Sequence, residues 1–184
     1  MVSVHLGLVL VGLGKIVFGV FVGVLGIFLA SRALARLLAC GRVDDAVREG
    51  NVAIGILNAA GVVSLGILAE RAVGSTFEAM DLLYRGRGVD GSLAGRFAAY
   101  AVAHVGLALV VGSIVLALGA WVFGRLTRDV DELAEVRKNN VAAAVVLGGV
   151  LVVLALVTAP GLSTALDGLL PLPALAADEG LAPS

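Results

Sequence analysis

The sequence predicts an all-α integral membrane protein with four transmembrane helices, arranged as two tandem parallel two-helix repeats. Of its 184 residues, 60% are hydrophobic and 15% are charged, whereas soluble domains are about 45–50% apolar and about 25% charged. The apolar residues form four blocks, each close to the roughly 20 residues that cross a ~30 Å hydrocarbon layer. A soluble core of this size could not bury such blocks, and a second copy of one motif indicates the repeat.

Each apolar block is predicted to be a membrane-spanning helix, because an unpaired backbone amide is costly in lipid. The predicted spans are residues 6–30, 51–68, 97–123 and 140–159. Pro160 is expected to end the fourth span. The period of a β-strand is absent, which argues against a barrel. The residues before Lys15 lack the basic start and the cleavage site of a signal peptide, so the first block is expected to remain as a span.

Basic residues in the short connections predict the orientation. Eight of them lie between spans 1 and 2 or between spans 3 and 4: Arg32, Arg36, Arg42, Arg48, Arg125, Arg128, Arg137 and Lys138. Short basic loops stay in the cytoplasm, so both termini are expected outside, although residues 71–96 carry four arginines on that side. The scarcity of lysine and the abundance of alanine, glycine and valine indicate a GC-rich bacterial genome.

One motif, V-R-x-x-N-V-A, occurs at residues 47–53 and again at residues 136–142. Asn140 follows Asn51 by 89 residues, and the same offset aligns Lys15 with His104. Such repeats determine architecture. We expect residues 1–89 to form the first two-span unit with an outer connecting segment, and residues 90–184 to form the second with an acidic outer tail. Units with two spans each enter the membrane in the same direction, which makes the repeat parallel.

A second pair of matching segments follows spans 2 and 4. Ser75 and Glu78 have the spacing of a capping box, and Thr164 and Asp167 form a looser version. Both pairs predict the start of a short helix at the outer surface that faces the headgroups, and the alternative is an ordinary capped helix within a loop.

The core of each unit resembles the bacterial inner-membrane proteins of the family called domain of unknown function 350. The resemblance rests on a basic residue followed by an Asn-x-Ala motif that opens a span rich in small residues, here Asn51-Val52-Ala53 and Asn140-Val141-Ala142. It covers residues 10–165 and implies tandem pairs of two-span units. The chain departs from that pattern in its longer connection between spans 2 and 3 and in its proline-containing tail. The family implies no established chemistry.

Asn51 and Asn140 are placed at the starts of spans 2 and 4. Asparagine is a preferred N-cap because its side-chain oxygen accepts from amides of the first helical turn. The alternative is that two helix N-termini face each other and bind an anion or a lipid headgroup. Arg48 and Arg137, which precede the two asparagines by three residues, would reinforce such a site.

Lys15 and His104 are the strongly polar side chains within spans 1 and 3. If span 1 starts at Leu6, Lys15 lies about 13 Å deep, and an intramembrane charge is by default a functional hypothesis. The alternative is that span 1 is shifted toward residues 16–35, which leaves Lys15 at the outer interface with its stem extended. His104 is either a satisfied buried imidazole or part of a proton or ion relay, because histidine titrates near neutrality.

Asn58 in span 2 is expected to bond to a neighbouring helix, and Leu147 at the equivalent position shows that it is not a repeated feature. Gly19 and Gly23 form a G-x-x-x-G pattern that allows close helix approach. Four thin helices bury little surface by themselves. The sequence therefore predicts a homo-oligomer in the lipid bilayer.

No catalytic residues, cofactor or metal ligands are predicted, since one cysteine and two histidines make a metal site improbable, and the protein is not expected to be an enzyme. A net charge of −1 gives no attraction to nucleic acid. The first functional hypothesis is an oligomeric ion or small-solute transport component that uses Lys15, His104 and Asn58. The alternative is a non-transporting membrane organiser, or a partner subunit in an envelope-stress system, that presents its arginine-rich loops to anionic lipid or a peripheral cytoplasmic protein.

Overall fold

Helices make up nearly all of the described structure. The computed structural model describes residues 6–84, 91–126 and 131–169. Its helices are α1 (Leu6–Leu37), α2 (Val43–Arg48), α3 (Val52–Tyr84), α4 (Gly91–Leu126), α5 (Glu132–Arg137) and α6 (Val141–Leu169). Four stretches are long and apolar enough to cross a membrane: Gly12–Leu37, Val52–Glu78, Phe97–Leu126 and Val141–Leu169. The predicted all-α membrane protein with four spanning helices is confirmed.

The long helices extend past the predicted ends of the spans, and Pro160 does not end the fourth one. It lies inside α6, which continues to Leu169. A proline removes one backbone hydrogen bond but can be accommodated within a transmembrane helix when other groups satisfy the freed backbone. The carbonyl that loses its donor is that of Leu156, four residues before Pro160, and α6 continues past it to Leu169.

The predicted short outer helix at Ser75 is also wrong. Ser75 lies inside α3, where its hydroxyl donates to the Ala72 carbonyl at 3.2 Å. Thr164 likewise lies inside α6. A serine hydroxyl can bond to a preceding carbonyl as well as to a following amide, so the spacing to Glu78 did not decide between a helix start and a helix interior.

Two short helices that the sequence analysis did not predict connect the spans. α2 links α1 to α3, and α5 links α4 to α6. The first and last residues of α2 each lie 89 positions before those of α5, and the ends of α1 and α4 and the starts of α3 and α6 differ by the same 89 positions. We call the end of the bundle that holds α2 and α5 the elbow end, and the opposite end, which holds His104, the distal end.

The centre of the bundle is the α3–α6 pair, which is its most extensive helix contact. α4 packs on both of these helices, whereas α1 packs mainly on α3 and, more lightly, on α4. Small residues permit the close approaches: a Cβ added at Gly148 would lie 2.9 Å from Ala60 Cβ. Fully buried leucines fill the interior between the two ends, among them Leu57, Leu65 and Leu109.

Candidate functional site

The two halves of the chain meet at the elbow end through asparagine side chains, which we call the asparagine junction (Asn51, Asn139 and Asn140). The Oδ1 of Asn51 accepts from the Ile54 amide at 2.9 Å and caps the first turn of α3. Its Nδ2 donates across the junction to the carbonyls of Val136 at 3.3 Å and Arg137 at 3.0 Å, at the end of α5. One side chain therefore caps the start of one helix and the end of another.

Asn139 makes the reciprocal contact from the second half of the chain. Its Oδ1 accepts from the Ala53 amide at 3.0 Å, and its Nδ2 donates to the Gly50 carbonyl at 3.4 Å. The backbone of Asn139 has a φ of 67° and that of Gly50, at the equivalent position, a φ of 87°. Glycine and asparagine are the residues that adopt this left-handed conformation most readily, and the asparagine adds a side chain that can cross the junction.

Asn140, in contrast, makes its side-chain hydrogen bonds within the second half of the chain. Its Oδ1 accepts from the Ala142 amide at 3.1 Å, and its Nδ2 donates to Glu135 Oε2 at 3.0 Å. Lys138 Nζ also donates to the Glu135 carboxylate, at 2.8 Å. The hydrogen bond from Asn140, followed by the bond and the charge of Lys138, lowers the pKa of the Glu135 carboxyl below its usual value.

The two arginines of the motif have different environments. Arg137 donates from Nη1 to the Leu38 carbonyl at 3.1 Å, so it ties α5 to the end of α1. Arg48 lies at the end of α2 and is exposed. The amides that an anion would use in the first turn of α3 are already occupied by Asn51 and Asn139. This arrangement favours a structural junction over an anion site.

His104 lies in a polar cluster at the distal end, the distal cluster (Ser75, Tyr100, His104 and Asp167). Its side chain is 0% exposed. Nε2 lies 3.4 Å from Ser75 Oγ and 4.0 Å from Asp167 Oδ1, and Nδ1 lies 3.4 Å from the Tyr100 hydroxyl. The imidazole therefore joins three helices: α4, which carries it, α3 and α6.

Charged residues of α3 indicate how deep this cluster lies. Residues 52–69 of α3 span about 27 Å, close to the ~30 Å of a hydrocarbon layer. They are followed by Glu70 and Arg71, whose side chains are 75% and 61% exposed. Ser75 lies one helical turn further on. The distal cluster therefore lies toward one end of the spanning stretches and away from their middle.

Lys15 lies at the same end of the bundle. Its Nζ is 5.2 Å from the centroid of the Phe77 ring, a cation–π distance, and Phe18 meets the same ring edge-on at a centroid distance of 5.8 Å. Phe77 lies beyond Arg71 along α3, and Lys15 is three residues from the end of the apolar stretch Gly12–Leu37. These positions favour the interfacial alternative for Lys15.

Asn58 lies in α3, between the two ends, and belongs to neither group. Its Oδ1 is buried and accepts no hydrogen bond from the described part of the chain. The structure therefore brings the predicted polar residues together in two separate places, Asn51 with Asn140 at the elbow end and Lys15 with His104 at the distal end, and leaves Asn58 apart from both.

Comparison with known families identifies the second half of the chain. Residues 92–176 match the family described as Domain of Unknown Function (DUF350). The second half of the chain belongs to the DUF350 family. Neither a curated protein nor a solved structure matches it.

The matched DUF350 region contains α4 from its second residue onward, α5 and α6, and with them His104, Asp167 and two of the junction asparagines. The sequence analysis missed Asn139 and Asp167 as partners of its candidates. The sequence contains a feature that could have indicated each of these two residues. Asn139 aligns with Gly50, a pair typical of left-handed backbone, and Asp167 follows Glu78 by 89 positions, as His104 follows Lys15.

Proposed function

We propose that this DUF350 protein is a non-catalytic, non-transporting membrane subunit that binds a peripheral protein at its elbow end. The observation that carries the proposal is the closed interior of the bundle between its two ends. Leu57, Leu65, Leu109 and Leu147 are each at most 1% exposed in this stretch. An ion crossing one chain would have to leave water for an environment of leucine and alanine in which Asn58 Oδ1 is one buried acceptor, and this is prohibitive without a continuous series of polar partners.

The buried hydroxyl groups of the described core do not offer such a partner. Ser64 donates to the Ala60 carbonyl at 2.7 Å and Thr76 to the Ala72 carbonyl at 2.7 Å, each within its own helix. His104 is enclosed by helices of its own chain, which also argues against a path that it would line between two chains.

The elbow end offers a surface for a partner of mixed charge. Its exposed basic residues in the described structure are Arg32, Arg36, Arg42, Arg48, Arg125, Arg137 and Lys138. Exposed acidic residues, including Asp44, Asp45 and Asp131, lie among them, which weakens attraction to an anionic lipid surface and suits a protein with both kinds of charge. The Arg125 guanidinium rests 4.9 Å from the Trp121 ring centroid.

Duplication of one two-helix unit is part of the proposal. It is supported by the offset of 89 positions that α2 and α5, the ends of α1 and α4, and the starts of α3 and α6 share. The contact of the two motif copies at the asparagine junction also supports it. By the positive-inside rule we expect the elbow end in the cytoplasm of a bacterial inner membrane. A peripheral cytoplasmic protein could then reach α2 and α5.

The partner can be tested by cross-linking in native membranes followed by purification of the full chain. The variant Arg36→Ala/Arg125→Ala should lose a peripheral protein that the wild type retains, because the two arginine charges proposed to contact that protein are removed. Arg71→Ala, an exposed arginine of the distal end, is the matched control and should retain it. Equal recovery with both variants, or no protein recovered specifically with the wild type, would overturn the proposal.

Transport is the second candidate, and the buried histidine beside the Asp167 carboxylate is the observation that favours it. Vesicles containing the purified protein should hold proton and potassium gradients as long as protein-free vesicles do. If they leak, and if His104→Ala or Lys15→Ala stops the leak while the protein still assembles, transport is the function and our proposal is wrong.

A further inference from the structure

The two ring nitrogens of His104 have different neighbours. Nε2 lies 3.4 Å from Ser75 Oγ on α3 and 4.0 Å from Asp167 Oδ1 on α6. The Ser75 hydroxyl donates to the Ala72 carbonyl at 3.2 Å, so it offers Nε2 only its lone pairs. An ionised Asp167 carboxylate also only accepts hydrogen bonds. Because both neighbours of Nε2 are acceptors, the neutral ring carries its proton on Nε2.

Nδ1 faces a group that can both donate and accept. The Tyr100 hydroxyl lies 3.4 Å from Nδ1, one turn earlier on α4. It can donate to Nδ1 while the ring is neutral, and it can turn to accept once Nδ1 is protonated. An unpaired polar group is costly in a buried position, and the His104 side chain is 0% exposed. The neighbours of this ring therefore suit both of its charge states.

Asp167 supplies the negative charge that a protonated ring needs. A carboxylate within about 4–6 Å stabilises an imidazolium ion, and the Asp167 side chain is 57% exposed, so it connects the buried ring with the distal surface. The other charged side chains described on the surrounding helices have different settings. Glu70 and Arg71 of α3 pair with each other at 3.7 Å. Glu78 of α3 is exposed, and Lys15 of α1 rests on an aromatic ring.

The equivalent place in the first half of the chain holds a cation. In the proposed duplication, Lys15 corresponds to His104 and Glu78 corresponds to Asp167, each 89 positions earlier. The Lys15 amine lies 5.2 Å from the centroid of the Phe77 ring, a cation–π distance. A side chain with a fixed positive charge in one half thus corresponds to a side chain that titrates near neutrality in the other.

We propose that His104 and Asp167 form a proton-binding site that opens toward the distal end. The proton binds at Nδ1, the Tyr100 hydroxyl turns from donor to acceptor, and the ring then bears a positive charge opposite the Asp167 carboxylate. Release of that proton to water at the same end restores the neutral ring with its proton on Nε2. His104 binds the proton, and Asp167 stabilises the charged form. The site needs no path through the core, and it is independent of the peripheral protein proposed at the elbow end.

Nitrogen NMR measures the charge of this ring directly, because the chain has two histidines. In the full chain with His5→Gln, isotopic labelling of histidine nitrogens in lipid vesicles equilibrated at each pH reports the charge and the tautomer of His104. We expect a neutral ring protonated on Nε2 in alkali and a charged ring in acid, with the change between about pH 4 and pH 8. A ring that keeps one charge over this range, or a neutral ring protonated on Nδ1, would overturn the proposal.

Asp167→Asn in the same background tests the role of the carboxylate. The proton affinity of His104 should fall about threefold or more, because the negative charge opposite Nε2 is lost, and Asp167→Glu should restore most of it. Glu70→Gln is the matched control, since Glu70 is an exposed carboxylate of the distal end that pairs with Arg71. An affinity that Asp167→Asn does not change, or that both variants lower equally, would contradict the assignment of Asp167. The titration of the His5→Gln chain decides whether His104 binds a proton even if Asp167→Asn does not fold.

Discussion

Asn51 and Asn140 occupy the same position of the duplicated motif, yet their amide groups are used differently. Asn51 donates across the junction to the end of α5, whereas Asn140 donates to Glu135 on the neighbouring elbow helix of its own half. Asn139 takes over the reciprocal contact to α3. The junction is therefore asymmetric at the level of single residues, and the two asparagines should differ in their effect on stability.

Replacing Asn51 by alanine should lower the free energy of unfolding by about 2 kcal/mol, through a lost cap and the loss of two hydrogen bonds to the carbonyls of Val136 and Arg137. Asn140→Ala should cost about 1 kcal/mol, because mainly a cap is lost. The midpoints of unfolding in mixed detergent micelles measure both. An Asn51→Ala variant as stable as Asn140→Ala would show that the cross-junction bonds contribute nothing.

The contribution of Glu135 to folding stability at the elbow end should depend on pH. Its folded-state pKa is lowered by the bonds from Asn140 and Lys138, so the ionised form favours folding. This stability is complete above the pKa of an unfolded glutamate and is lost as the pH falls from there through the folded-state pKa. The stability difference between the wild type and Glu135→Gln should thus be larger at neutral pH than in acid. Glu49→Gln, at the end of α2, is the control; a difference for Glu135→Gln that does not change with pH contradicts the assignment.

At the scale of the helices, block length and composition predicted the number and order of the spans, because about 20 apolar residues have few alternatives to a membrane helix. The ends of the helices were harder to predict. Pro160 and Ser75 are typical of helix boundaries in water, but both lie inside long helices here. In a membrane protein, bonding within the helix outweighs these local signals.

The candidate site was also predictable in part from the sequence. The motif marked Asn51 and Asn140 because their types and spacing repeat. It could not indicate that Asn139 would cross the junction or that Asp167 would approach His104, since both contacts depend on how separate helices pack. α2 and α5 have six residues each, too few for a hydrophobic period to reveal them.

The contact between α3 and α6 gives a prediction at this scale. Gly148→Ala places a Cβ against that of Ala60, and neither group can rotate away, so the helices must separate. We expect a loss of about 1–3 kcal/mol in the free energy of unfolding, as for other overpacked cores. Gly66→Ala is the control, because nothing lies within 4 Å of a Cβ there. Equal stability of the two variants would contradict the observed crossing.

At the scale of the whole molecule, the two ends of the bundle have different characters. The elbow end is joined by hydrogen bonds between the halves of the chain and presents charges of both signs. The distal end holds His104 and Lys15 near the ends of the spanning stretches. Between them lies a core of leucine and alanine that we expect to seal the membrane, so function is expected at the ends of the molecule and not along its axis.

The central claim is that four helices cross the bilayer with α2 and α5 on the same side, and labelling of cysteines tests it most directly. Glu49 and Lys138 are exposed and lie at equivalent positions of the two elbows. In the Cys40→Ala background, Glu49→Cys and Lys138→Cys should both react with a membrane-impermeant thiol reagent in inverted vesicles, and neither should react in right-side-out vesicles. Labelling of the two cysteines from opposite sides of the membrane would contradict the account.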